Sequence, residues 1–259
     1  MNTHAVKAAV LALVMMSASV AAGAAELIIL ASQGSISGAR DLAAGFAQAT
    51  GHKVTARQER NAMETVNAGT PADIVVANPP VIDNLIKQGK VVGARVDFAR
   101  AGIGVAVKTG APKPDLSNTE AFKRALLNAK SIGYSTSGSG LMVAKIIERL
   151  GLAETLKART KFLDGFPAAE AVARGEVEIA LQQINVILPV AGAELAGPLP
   201  PELQEYNNFS AGVLAVSQER EIATALLKFM GAPENAALVR KSGLEPPPPK
   251  LQPHQEESL

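Results

Sequence analysis

The chain has 259 residues, with 25 Lys and Arg against 24 Asp and Glu, three His, and neither Cys nor Trp. Apolar residues at 47% with only 19% charged supply a real core and exclude disorder over the whole length. The near-zero net charge excludes a generic nucleic-acid binder, and the lack of Cys excludes a disulfide framework, a thiolate metal site and a thiol nucleophile.

The first residues read as a leader. His4 and Lys7 make a weakly basic start, Ala8 to Ala22 is apolar, and Ala22-Gly23-Ala24 is a small-x-small cleavage site. The apolar run is too short to span a bilayer comfortably. Residues 1–24 are therefore expected to be removed on export to the periplasm. At the other end, residues 246–259 open with Pro246-Pro247-Pro248-Pro249 and lack apolar periodicity, which predicts a flexible tail.

Between them, strands and helices alternate. Leu27–Ala31 is a buried strand, and Ala39–Thr50 a helix with Leu42, Phe46 and Ala49 at helical spacing, stopped by Gly51. A strand at Lys53–Ala56, a helix at Asn61–Ala68, a strand at Ala72–Ala77 and a helix at Val81–Gln88 follow. The strand Ile103–Val107 leads into a Gly- and Pro-rich segment, 108–114. Then come a helix at Thr119–Asn128, a strand at Ser131–Tyr134, helices at Ser139–Leu150 and Ala168–Ala173, and a strand at Glu178–Leu181. A second Pro-rich segment, 197–208, precedes the strand Phe209–Val216 and the helix Glu219–Met230. Alternation of this kind predicts α/β architecture with mostly parallel sheets. The two segments predict two lobes with a cleft: 25–107 plus 209–245 as the first, 108–208 as the second.

The stretch Gly45–Asn78 resembles the periplasmic molybdate-binding proteins of ABC importers, with Ala68-Gly69-Thr70-Pro71-Ala72-Asp73 matching the family's AGxPAD segment. Ser139–Gly151, SGLMVAKIIERLG, is similar to the family's helix AGxYAKxxLxxLG. The resemblance runs from the first strand to about Leu244. It implies a type II periplasmic-binding-protein fold, two hinged lobes, and a small anion held between them by Ser hydroxyls and helix N-termini. Helix N-termini carry unpaired N–H donors and a positive dipole end, so this is sound physics. It also implies a permease in the inner membrane as partner, a monomer, no cofactor, no metal and no catalytic residue.

Carried over one position at a time, the family's first ligand Ser falls at Gly34, and a one-residue slip makes it Ser35. As an ordinary N-cap or an anion ligand, Ser35 would use the same geometry. The second position falls at Glu59, beside Gln58, Arg60 and Asn61, where serines have gone and an Arg has arrived. The third falls at Asn78, the fourth at Ser139, the fifth near Gly165-Phe166, and the sixth, a Tyr in the family, at Gln183. Amides and a guanidinium in place of hydroxyls favour a small organic acid or another polar anion over molybdate, since Arg offers a planar bidentate fork suited to carboxylate. Arg60 could equally face solvent or pair with Glu59 or Glu64. From the residues themselves, Ser137-Gly138-Ser139-Gly140 is the best anion loop: it follows a strand, and Gly138 and Gly140 let N–H groups approach a ligand. It has neither the Gly-Lys-Ser/Thr ending of a P-loop nor the Gly-x-Ser-x-Gly of a nucleophile elbow. The expected function is thus the solute-binding component of an importer. The alternatives are a secreted enzyme, with Glu59 and Ser139 the only conceivable base and nucleophile, or a ligand sensor on the same scaffold.

Overall fold

The computed structural model describes residues 24–136 and 138–248. The expected leader, save its last residue, and most of the expected tail lie outside these, as does Ser137. In chain order the first part runs β1 (Glu26–Ala31), α1 (Ile36–Thr50), β2 (Lys53–Gln58), α2 (Ala62–Asn67), β3 (Ile74–Ala77), α3 (Pro79–Lys87) and β4 (Val91–Lys108). The middle runs α4 (Thr119–Asn128), β5 (Ile132–Tyr134), α5 (Ser139–Arg149), α6 (Ala153–Leu156), β6 (Thr160–Phe162), α7 (Ala168–Ala173), β7 (Ile179–Gln183), α8 (Ile184–Ile187) and β8 (Ala193–Pro198). The chain closes with β9 (Tyr206–Leu214), α9 (Arg220–Gly231) and α10 (Ala236–Lys241).

Local chemistry sets several of these boundaries. Asn118 caps α4 by accepting from the Ala121 N–H at 2.9 Å. The N–H of Gly51, at φ 78°, returns to the Ala47 carbonyl and ends α1. Asp73 is buried but fully used: Oδ2 accepts from the Ile28 N–H at 2.8 Å and Oδ1 from the Ser217 hydroxyl at 2.6 Å. It pins the start of β3 to β1 and to the turn after β9.

Two strand groups form. One is ordered β2-β1-β3-β9-β4, the other β4-β7-β5-β6, with β8 also on β4. Within them β1, β2 and β3 are parallel, as are β5, β6 and β7, while β4 and β9 join antiparallel. Period-two alternation sends neighbours to opposite faces. Leu27, Ile29, Ile74 and Val76 pack with Leu42, Phe46, Phe98 and Leu226, whereas Leu30 and Val75 pack with Val66, Ile82 and Leu85. In the second group Ile103, Val105 and Leu181 meet Phe122, Leu126 and Ile146, and Ala106 and Ala180 meet Val172 and Ile187. Each sheet is thus covered on both faces. Full burial of an Ile or Leu stabilises by about 1.5–3 kcal/mol, and none of these clusters draws residues from both sheets.

β4 carries the chain across. Val91–Gly102 pairs with β9, and Ile103–Lys108 pairs with β7 and β8. The change of sheet therefore falls at Gly102–Ile103, inside a strand, and not in the expected segment 108–114, which begins at the very end of β4 and turns away. The return does lie within 197–208, between the end of β8 at Pro198 and the start of β9 at Tyr206. The C-terminal segment braces this junction. Arg100 and Glu245 exchange both backbone hydrogen bonds, the Arg100 side chain donates to Glu245 Oε2 at 3.0 and 2.7 Å, and its guanidinium lies 3.9 Å over the Tyr206 ring.

Candidate functional site

Parallel strands followed by helices place their C-terminal loops along one edge of a sheet, where open α/β sheets take ligands. Here the two edges face each other. A methyl group added at Gly34, after β1, would collide with Gln183 Oε1, at the end of β7. Asn185, in α8, donates from Nδ2 to the Gly34 carbonyl at 2.9 Å and to the Ser37 hydroxyl at 3.2 Å. The first sheet's β1–α1 loop thus meets the second sheet's β7–α8 junction directly.

Around this meeting point the expected residues take distinct places. Ser35 is fully buried; its hydroxyl lies 3.0 Å from the Ser32 hydroxyl and 3.2 Å from the Ser32 carbonyl, and makes no cap on α1. Asn61 caps α2, accepting from the Glu64 N–H at 3.3 Å. Asn78, at the start of α3, donates to Asn207 Oδ1 and to the Asn208 carbonyl at 3.0 Å, so it ties β3 to the start of β9. Arg60 is exposed at the end of β2. Neither it nor Arg40 takes part in an ion pair among the described residues. Glu59 accepts from the Thr65 hydroxyl at 3.1 Å.

In the second sheet, Gly138 has φ 55° and stands at the N-cap of α5, with half-buried Ser139 as its first residue. Gly140 lies so close to the Ser135 carbonyl that any Cβ there would clash with backbone. Phe166 packs under the Arg174 guanidinium, 4.5 Å from its ring centre. Gln183 is 3% exposed and turned to Gly34. Its neighbour Gln182 is spent on structure, accepting from the Ala169 N–H at 3.1 Å. Tyr134 belongs to the core beneath this loop, edge-on to Phe162.

Three residues around the candidate site carried no weight in the sequence reading. Asp164 accepts from the Thr136 N–H at 2.9 Å and from its hydroxyl at 2.7 Å, so an exposed carboxylate of the chain itself occupies donors of the loop expected to hold an anion. The Thr136 hydroxyl, and after it the N–H, hold the Asp164 carboxyl below its ordinary range. Arg40 and Gln58 line a cavity of about 530 Å³ between the sheets. Ser37 shares its near wall, while Pro167, Glu170 and Asn185 line the far side. A helix-face reading finds Arg40, since it follows Ile36 by one turn and faces the same gap. Glu170 pairs with Arg174 at 3.1 Å, a guanidinium that Glu176 also engages at 2.5 Å. No cluster of three or more His, Asp or Glu able to hold a metal occurs among the described residues, and no helix there is long and apolar enough to cross a membrane.

The geometry has relatives. The family profile described as bacterial extracellular solute-binding protein matches residues 17–245. An aconitate isomerase of Pseudomonas sp. is 33% identical over 231 residues, covering 86% of this chain and 88% of that protein. Among solved structures, the periplasmic molybdate-binding protein of Azotobacter vinelandii superposes with a TM-score of 0.70 at 21% identity, covering 85% of this chain and 99% of that one. A sulfate-binding protein of Mycobacterium tuberculosis superposes with a TM-score of 0.67 at 19% identity, covering 87% and 88%. Both likenesses establish the two-lobed binding-protein fold.

Proposed function

Because the chain belongs to the bacterial extracellular solute-binding protein family, we propose that it works in the periplasm, where it captures a small organic carboxylate between its lobes and presents it to the permease of an ABC-type importer. One observation carries the carboxylate. At the loops that converge on Gly34 and Gln183, the hydroxyl and amide side chains are largely committed: Ser35 to Ser32, Asn61 to Glu64, Asn78 to β9, Thr136 to Asp164. The Arg60 guanidinium, in contrast, has no ion-pair partner among the described residues. Arg binds a carboxylate through two parallel N–H···O bonds, whereas a compact oxyanion site needs the hydroxyls that are spent here. The helix α5, opening at Ser139, adds N–H groups and the positive end of its dipole.

The test is a thermal-shift and calorimetric screen of the mature protein against molybdate, sulfate and a series of small carboxylates. A ligand that binds only the native state raises the melting temperature by mass action. Stabilisation by carboxylates and not by molybdate or sulfate is expected. The reverse order would replace the organic ligand with an oxyanion.

The isomerase relative supports a second reading, in which the protein converts the acid it binds. Incubation with each geometric isomer of aconitate, followed by proton NMR, separates the two. A pure binding protein leaves each isomer unchanged at any incubation time, and an enzyme interconverts them at a rate proportional to protein concentration.

A further inference from the structure

We propose that the cavity between α1 and the α7–α8 region is a second carboxylate subsite, with Arg40 as the specificity-determining residue, and that it makes the protein selective for extended di- and tricarboxylates. The inference rests on the carboxylate reading above and extends it to a part of the cleft that none of the six family-matched positions lines, with Asn185, two residues past the sixth, on its border.

Size is the first argument. A water takes about 30 Å³ of liquid volume, so a cavity of about 530 Å³ has room for on the order of fifteen waters. Sites for small organic ligands occupy about 300–1,000 Å³. A tetrahedral oxyanion would leave most of this space to solvent. A chain bearing several carboxyl groups would fill it while keeping one carboxylate at the Gly34–Gln183 junction.

Chemistry is the second. The wall from the first lobe carries Arg40 and Gln58, a guanidinium and an amide, and the Ser37 hydroxyl. The carboxylate nearest to Arg40 in sequence, Asp41, is engaged by Lys241 at 3.3 Å. The one acidic group lining the far wall, Glu170, is paired with Arg174, which is itself anchored over Phe166. The cavity therefore offers one cation without an ion-pair partner among the described residues, and one acid whose charge is offset in part by a guanidinium that Glu176 also engages at 2.5 Å. The walls also come from both lobes, so an occupant is held only when they are together. Asn185 sits at the border: it lines the cavity and spans the lobes through Gly34 and Ser37.

Calorimetric titration of the mature protein with acetate, succinate, propane-1,2,3-tricarboxylate and molybdate tests this. Wild type is expected to bind the tricarboxylate at least 100-fold more tightly than acetate, with succinate between. Arg40→Ala should weaken the tricarboxylate by tenfold or more and leave acetate within twofold. Arg40→Lys should restore part of the loss, because it keeps the charge but not the bidentate fork. Arg40 is exposed, and an unchanged circular dichroism melt will show that the variants fold. If Arg40→Ala leaves the ratio of tricarboxylate to acetate affinity unchanged, the subsite is wrong and the carboxylate reading stands. If the wild type binds no carboxylate, or prefers molybdate, both fall together.

Discussion

Asp164 illustrates how a single side chain redefines a loop. The turn Ser135–Gly140 has the composition of an anion cradle, but the Thr136 N–H and hydroxyl are already held by the Asp164 carboxylate. That carboxyl is held below its ordinary value by the Thr136 hydroxyl and then the N–H. A lowered folded pKa means that the tie stabilises the loop above the unfolded value of 3.8 and is lost as pH falls through the lower folded value. The Thr136 amide resonance should accordingly titrate with a midpoint below 3.8, and the same resonance in Asp164→Asn should stay flat across that range. Gly140 is constrained by space alone. A side chain there would meet the Ser135 carbonyl, and backbone cannot swing aside as a flexible side chain can. Overpacking of this kind costs roughly 1–3 kcal/mol. Gly140→Ala should lower the unfolding free energy measured by urea denaturation by that amount and also weaken the ligand, because the start of α5 must shift.

Among the elements, β4 explains most about what could be read in advance. Its second half, Ile103–Val107, is an apolar run and is legible as a strand. Its first half holds Arg95, Asp97 and Arg100, and its pairing with β9 shifts register between Val92 and Val96 and again between Asp97 and Ala99. Bulges break the period of two on which strand reading depends. That half, which carries the crossing between sheets, was therefore invisible, and the crossing was sought in the Gly- and Pro-rich segment beyond it. β6 has only three residues and β8 runs through the Gly-Pro stretch, so neither offered a pattern. By contrast, the helix expected at Thr119–Asn128 is α4 to the residue, because Asn118 is a side-chain cap that sequence displays. The candidate site was legible where it follows predicted strands, as at Gln183, which closes β7. It was not legible at Arg40, where an exposed Arg inside a helix looks like any solvated charge until the opposite lobe is in place. Phe98, 1% exposed in the unread half of β4, is packed in the first sheet's core. Phe98→Ala should cost about 3–5 kcal/mol in chemical denaturation, as for a core aromatic, far more than truncation of an exposed edge residue such as Phe162.

At the scale of the molecule, the lobes are separate in their cores and joined by a thin set of connections. β4 passes between them once, the segment before β9 returns, and Arg100, Tyr206 and Glu245 fasten the C-terminal segment across the base of that crossing. Relative motion of the lobes leaves the four hydrophobic clusters intact, since each lies wholly on one side. It does break the contacts of Asn185. The bridge is built with a flaw: Asn185 Oδ1 is buried with no hydrogen-bond partner among the described residues while Nδ2 makes both bonds. An unpaired buried acceptor costs about 1–3 kcal/mol, comparable to the gain from two neutral hydrogen bonds.

That near-cancellation sets a clock. A fully satisfied bridge would favour the closed arrangement by about 1–3 kcal/mol even without a ligand and would slow release in proportion. With water waiting to solvate Oδ1 on opening, the empty protein gains little by staying shut, and the closed population depends on what the ligand contributes. The residence time of the ligand is thus adjustable at one residue outside the charged contacts. Supplying Oδ1 with a donor should lengthen it, whereas Asn185→Ala, which removes the two bonds together with the unpaired acceptor, should leave dissociation nearly unchanged in stopped-flow displacement, because the two contributions offset.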